Sequence, residues 1–360
     1  MSRVAVAMSG GVDSSVAALL LKEAGGPVVG LSMQLYDRSR DGRPLYGRCC
    51  SPGDLHDARA AADRIGIPFY VLNFEEEFRR DVIDDFLAEY RSGRTPVPCV
   101  HCNSGPKFGH LLQRASGIGA DRVATGHYAR TAFDSETGRH RLMRARDREK
   151  DQSYFLFALS QAQLARALFP VGALSKQEVR DIAAARGLPN AAKPESQDIC
   201  FVPDGRYTEF IRRESGDTGQ SGDIVDREGR VLGRHQGLSS YTVGQRRGLG
   251  VSSSRPLYVT GLDPSTNRVI VGGESEQYRE SLLAVRVNWV SIPEPGRAFC
   301  ATARIRSSHA GADAWIEPLP QNRMKATFRE PQRAVAPGQA VVLYDGDTVL
   351  GGGFISDARV

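Results

Sequence analysis

Ser9-Gly10-Gly11-Val12-Asp13-Ser14-Ser15 is the stretch on which the reading of the whole 360-residue chain turns. It follows a short apolar run, residues 3–8, and opens an apolar helical pattern that extends from Ser14 to Ala24. Two glycines allow a tight turn whose N–H groups face an anion. The following helix adds its positive N-terminal end, and Ser14 and Ser15 add hydroxyl donors. A plain Gly-rich strand–helix turn is the bland alternative, and a run of this type in this context argues against it. The chain has no Gly-Lys-Ser/Thr ending here, so the loop is not a Walker A motif.

Working outward, Val28–Met33 and Ile67–Asn73 read as strands, the latter after a helix stop at Gly66, and Arg122–His127 as another. Pro52–Ile65, Phe78–Ser92 and Lys107–Ala115 have helical spacing. This alternation predicts an α/β fold with a doubly wound parallel sheet. Nucleotides lie at the C-terminal ends of such strands. Met33 and Gly126 sit at those ends, Met33 reading equally well as core and Gly126 as a place where adenine approaches backbone. Beyond Cys200 the chain becomes Gly-rich and polar, and from 257 onward short β-type runs separated by turns predict an all-β barrel or sandwich. Three domains are expected, at 1–205, 206–275 and 276–360.

The net charge of +5, from 47 Lys+Arg against 42 Asp+Glu, is compatible with a nucleic-acid partner without proving one. The 41% hydrophobic and 25% charged residues are those of an ordinary soluble protein. No stretch approaches the ~20 apolar residues of a membrane span, and residues 1–8 are too short for a secretory apolar region. A cytoplasmic protein with no membrane partner is expected. In that compartment its six cysteines are not expected to form stapling disulfides. Cys300, in Phe299-Cys300-Ala301-Thr302-Ala303, reads as a small core residue.

Thr95-Pro96-Val97-Pro98-Cys99-Val100-His101-Cys102-Asn103 reads as a proline-stiffened loop ahead of a helix, a setting that favours thiolate. Ser196-Gln197-Asp198-Ile199-Cys200-Phe201 places another thiol in a polar loop. Two such thiols suit sulfur transfer, in which one carries a persulfide and the other assists its release. Three alternatives stand beside this. One is half a zinc site, without the paired spacing of zinc ribbons. Another is a thioredoxin-type pair, against which the prolines and the nearby phosphate loop argue. The third is a 4Fe–4S cluster held by Cys99, Cys102 and Cys200 with one open iron.

The chain resembles the tRNA-specific 2-thiouridylase family, within the PP-loop ATP pyrophosphatases. The resemblance is carried by Ser9–Ser15, Gly93–Pro96, Cys102-Asn103, Lys107-Phe108, Ala124–Tyr128, Lys150–Leu156, Phe169–Gly172, Ser196–Phe201, Thr242–Gly250 and Leu350–Gly353. It implies a fold of nucleotide-hydrolase domain, small central domain and β-barrel. It also implies ATP-dependent 2-thiolation of the tRNA wobble uridine, with release of AMP and PPi. Cys102 would be the nucleophile and Cys200 the persulfide carrier. The nucleotide would lie on Ala7, Met8, Ser9, Gly10, Gly11, Val12, Asp13, Ser14, Met33 and Gly126, with Mg²⁺ near Asp13. Lys150, Asp151 and Gln152, and the barrel residues Arg306 and Ser307, would contact tRNA. A sulfur-relay protein fed by a cysteine desulfurase is the implied donor, and a monomer is expected. Two departures matter. Val97-Pro98-Cys99 stands where the family commonly has Asn-Pro-Asp, and Ser307 replaces an aromatic residue beside Arg306. Cys49-Cys50 has no assigned role. A PP-loop synthetase forming a C–N bond would not need the two thiols, and a tRNA-binding protein without catalysis would not need an intact phosphate loop.

Overall fold

The computed structural model describes residues 3–36, 52–194, 199–202, 206–216 and 219–359. Cys49, Cys50 and Ser196–Asp198 lie outside these residues, as does the boundary expected at 205.

The N-terminal sheet contains β1 (Arg3–Ala7), β2 (Val28–Gln34), β3 (Phe69–Asn73), β4 (Ala120–Ala124) and, after the hairpin β5 (Ala129–Asp134) and β6 (Arg139–Arg144), the short β7 (Ala167–Leu168). All its pairings are parallel and its order is β3-β2-β1-β4-β7. β2 is buried almost throughout, as a strand covered on both faces must be. Alternate β1 residues serve opposite layers. Val6 packs with α1 (Val12–Glu23) and α2 (Pro52–Ile65) through Val16, Ala17, Ala58 and Ala62, whereas Ala5 packs with Phe86, Leu111 and Leu112 on the other face. Helices therefore cover both sides, and the expected doubly wound α/β fold is present.

β8 (Gly222–Val225), β9 (Val231–His235), β10 (Tyr258–Asp263) and β11 (Arg268–Gly272) form a four-stranded sheet of order β10-β11-β8-β9 around Ile224, Val259, Val269 and Val271. The last strands are β12 (Tyr278–Asn288), β13 (Phe299–Arg304), β14 (Ala312–Leu319), β15 (Arg323–Arg333), β16 (Ala340–Asp345) and β17 (Thr348–Arg359). They run β12-β15-β14-β13-β16-β17, and β17 pairs back onto β12, so the sheet closes into a barrel. The hairpin β5–β6 extends this sheet, because Leu142 and Met143 pair with Val349 and Thr348 of β17. The barrel is thereby hydrogen-bonded to a segment of the first domain.

Two expectations change. The helix placed at Lys107–Ala115 begins at Pro98 and runs, through a π-helical stretch Asn103–His110, to Gly117. Pro98 occupies the first turn, where a missing N–H costs no helical bond, so Cys99 and Cys102 are helical and not in a loop ahead of the helix. Cys300 is exposed, opposite Trp315 on the outside of the barrel, while Ala301 and Ala303 point inward. Period-two alternation along β13 puts Cys300 on the outer face. No described helix is long and apolar enough to cross a membrane.

Candidate active site

The strand order reverses between β1 and β4, and both ends open into one crevice there. Residues 8–11 leave β1 and turn into α1. Gly10 has φ +77°, and a Cβ on it would stand 2.2 Å from the Asp54 carbonyl oxygen, so only glycine fits. Ser14 Oγ accepts from Ser9 N–H at 3.2 Å and donates to Gly11 O at 3.0 Å. Asn190 Nδ2 donates to Gly10 O at 3.0 Å and to Ser15 Oγ at 2.9 Å. Side chains thus hold the loop's carbonyls, while the first N–H groups of α1, which have no intrahelical acceptors, are set to meet an anion.

The crevice has two adjoining cavities of about 200 Å³ each that share Ser9, Gly11, Asp13 and Gln152. The first is lined mainly by Ala7, Met8, Met33, Leu35, Thr125, Gly126 and His127, with Lys107 at its edge. The second carries Lys150, Lys176 and Lys193, with Tyr128 and Asp54. An apolar chamber joined to a cationic one across a helix N-terminus suits a nucleoside bearing a polyphosphate. Met33 is only 9% exposed, as a core residue is, and also lines the first cavity. Gly126 lines it too, but a side chain there is excluded by the first turn of α1, since a Cβ would lie 2.6 Å from Ser14 N.

Asp13 is fixed by Lys176, whose Nζ lies 2.7 and 2.9 Å from its two carboxylate oxygens, and by the Tyr128 hydroxyl, which donates at 2.9 Å. Lys193 Nζ is 2.7 Å from Asp54 and 2.5 Å from Asp57. Burial opposes its charge, but the two carboxylates outweigh burial and raise its pKa. Burial, aided by the nearby Lys107, holds the His127 imidazole well below its ordinary range, so it is neutral near pH 7. Its Nδ1 lies 2.8 Å from Thr125 Oγ1.

Cys102 is 7% exposed and Cys200, in a turn, is half-buried; both pack into the large apolar cluster under the sheet. Cys99, on the first turn of the same helix as Cys102, is exposed. That helix also supplies Lys107 to the cleft, so one element carries both a thiol and a cleft-lining cation. Among the described residues no group of three or more His, Cys, Asp or Glu is placed to hold a metal ion. Cys99, Cys102 and Cys200 are not gathered into such a group.

Lys150 and Gln152 line the cationic cavity, but Asp151 between them has a side chain only 1% exposed, in contact with Arg144 and Arg304. Its carboxylate faces the protein interior. Arg306 donates to Arg333 O at 3.3 Å, and Ser307 is exposed. Sequence reasoning assigned no site role to Lys176, Lys193, Asn190 or Arg304. Each lies far along the chain from its partner, and no local pattern marks it.

Three family descriptions match in series: a tRNA methyl transferase HUP domain over residues 2–204, a tRNA methyl transferase PRC-barrel domain over 208–273 and an aminomethyltransferase beta-barrel domain over 279–355. The tRNA-specific 2-thiouridylase MnmA of Geotalea uraniireducens is 55% identical over 99% of this chain and 95% of its own length. The chain belongs to the tRNA-specific 2-thiouridylase family. Proteins of the same name from Geobacter metallireducens (53% identity, 99% of this chain and 97% of theirs) and Roseiflexus castenholzii (49%, 99% and 100%) match as fully. Among solved structures, a 4-thiouridine synthetase–RNA complex with bound ATP overlaps 56% of this chain and 45% of its own at 15% identity and a TM-score of 0.33, too remote a likeness to argue from. In this thiouridylase-family chain the departure at Val97-Pro98-Cys99 falls on the first turn of the thiol helix, with Val97 as its N-cap residue and an exposed thiol as its second residue.

Proposed function

We propose that the chain is an ATP-dependent sulfurtransferase that converts the wobble uridine of tRNA to 2-thiouridine. The observation that carries this reading is a phosphate loop at the sheet's reversal point, facing a cleft that is also lined by Lys107 from the helix that bears Cys102, in a chain of this family. ATP binds with adenosine against Met33 and Leu35 and its phosphates toward Lys176 and Lys193. Asp13 would hold a Mg²⁺ ion, which would supply countercharge to the phosphates. The flipped uridine presents its C2 oxygen to the α-phosphorus; the new P–O bond forms as PPi leaves. The terminal sulfur of a Cys200 persulfide attacks C2, and AMP departs with the former C2 oxygen. The Cys102 thiolate then attacks the Cys200 sulfur, freeing 2-thiouridine and leaving a Cys102–Cys200 disulfide for an external thiol to reduce. No step is routed through an iron–sulfur cluster.

The rest of the assignment follows from the same reading. Segments 1–205, 206–275 and 276–360 act as catalytic domain and two tRNA-contacting domains, with Lys150, Gln152, Arg306 and Ser307 at the RNA. The protein works as a cytoplasmic monomer supplied by a sulfur-relay protein that a cysteine desulfurase loads. Cys200→Ser tests it. The variant keeps nearly the same volume but cannot carry a persulfide, so it should bind tRNA and ATP and yield no 2-thiouridine when the tRNA is digested to nucleosides. Full 2-thiouridine formation by this variant sinks the persulfide assignment.

A further inference from the structure

Asp151, which the family resemblance assigns to the RNA, lies instead at a junction between two domains. Its carboxylate accepts from Arg144 Nε at 3.1 Å, Arg304 Nη1 at 3.3 Å, Ala145 N–H at 3.1 Å, Ser153 N–H at 3.2 Å and Ser153 Oγ at 3.1 Å. Arg304 ends β13 of the barrel, with a side chain 9% exposed. Its guanidinium lies near the Tyr154 and Tyr344 rings and also donates to the carbonyls of His309, at 2.9 Å, and Ser307. One guanidinium therefore ties the barrel loop that bears Arg306 and Ser307 to Asp151.

The chain of contacts continues to the phosphate loop. Gln152 donates its N–H to Tyr128 O at 2.8 Å and accepts Tyr128 N–H on its side-chain oxygen at 3.0 Å. The Tyr128 hydroxyl holds Asp13, which holds Lys176. Lys150 and Gln152, flanking Asp151, both line the cationic cavity.

We infer that Arg304 and Asp151 are positioning residues that couple tRNA on the barrel loop to ATP in the cleft. The inference rests on the function proposed above. An exposed ion pair bends or breaks at little cost, but a carboxylate this deeply buried that loses the Arg304 guanidinium gives up one of its two countercharges and keeps only the Arg144 guanidinium. A shift of the 305–310 loop on binding RNA moves Arg304. Asp151 must follow it, and Lys150 and Gln152 move with Asp151 because they are bonded to it. The polyphosphate end of the cleft is thus set differently with and without RNA.

The test measures binding to the full chain of α,β-methylene-ATP, which is uncleavable at the bond that adenylation breaks, with and without unmodified substrate tRNA. Binding of tRNA is measured with and without the analogue. In the wild type each ligand should tighten the other by the same factor, on the order of tenfold. Arg304→Lys keeps the charge but cannot reach Asp151 and both carbonyls at once. It should bind each ligand alone within about threefold of wild type, while the coupling factor falls toward one. Tyr128→Phe, which removes one hydroxyl at the far end, should lower the same factor. A folded Arg304→Lys with wild-type coupling, or a wild type with no coupling, overturns the inference. If Arg304→Lys fails to fold, an unchanged factor in Tyr128→Phe overturns it instead. Failure of the wild type to make 2-thiouridine would remove the proposed function and not the coupling, which is read from binding alone.

Discussion

The parallel sheet and the barrel use strand ends and strand edges in opposite ways. In the parallel sheet the ends matter: β1 and β4 stop side by side, and residues just past them, Ser9, Gly11 and Thr125–His127, line the cleft. In the barrel the edges matter: β17 bonds to β12, to β16 and, through Thr348 and Val349, to β6 of the first domain. The first region concentrates its constraints on a few backbone positions around the cleft. The second spreads them along a seam, where Gly351, Gly352 and Gly353 let neighbouring backbone and the rings of Trp289 and Phe157 come close. Substitutions in the two regions should therefore fail differently, one in chemistry and the other in stability.

Gly10→Ala should give the largest effect. It adds strain at φ +77° and a Cβ 2.2 Å from the Asp54 carbonyl, displacing the N–H groups that would receive phosphate in the proposed reaction. PPi release with tRNA and ATP should fall at least about 100-fold, the scale of losing one preorganised anion donor. Normal release would mean that the nucleotide lies elsewhere and the contrast between the regions is false.

Gly352→Ala should act on the seam. Its Cβ would sit 2.7 Å from both Phe157 Cδ2 and Val341 O. Overpacking of this kind costs about 1–3 kcal/mol, readable as a lower midpoint in urea unfolding, with nucleotide binding retained by the protein that remains folded. A loss of binding without a loss of stability would show that the seam serves the cleft directly.

The smallest effect is expected at Cys300, on the outer face of the barrel and away from both the seam and the cleft. Cys300→Ser should leave 2-thiouridine formation intact and unfolding free energy within about 0.5 kcal/mol of wild type. A larger loss would return this thiol to the core, against its exposed position opposite Trp315.

By itself the sequence determined the elements whose signals are local. The phosphate loop was legible because a tight glycine turn, small hydroxyl residues and the start of a helix all fall within a few positions. The parallel sheet was legible because apolar strands alternate with amphipathic helices. The start of the thiol helix was misplaced because Pro96 and Pro98 read as loop residues, whereas Pro98 opens the helix. Only the tertiary structure decided the partners of side chains separated by many residues: Lys176 on Asp13, Asn190 on Gly10, and Arg304 on Asp151. It also decided that β5–β6 joins the barrel and that Asp151 turns inward. Such pairings depend on strand register and layer packing, which bring together residues that carry no mark of each other in the linear chain.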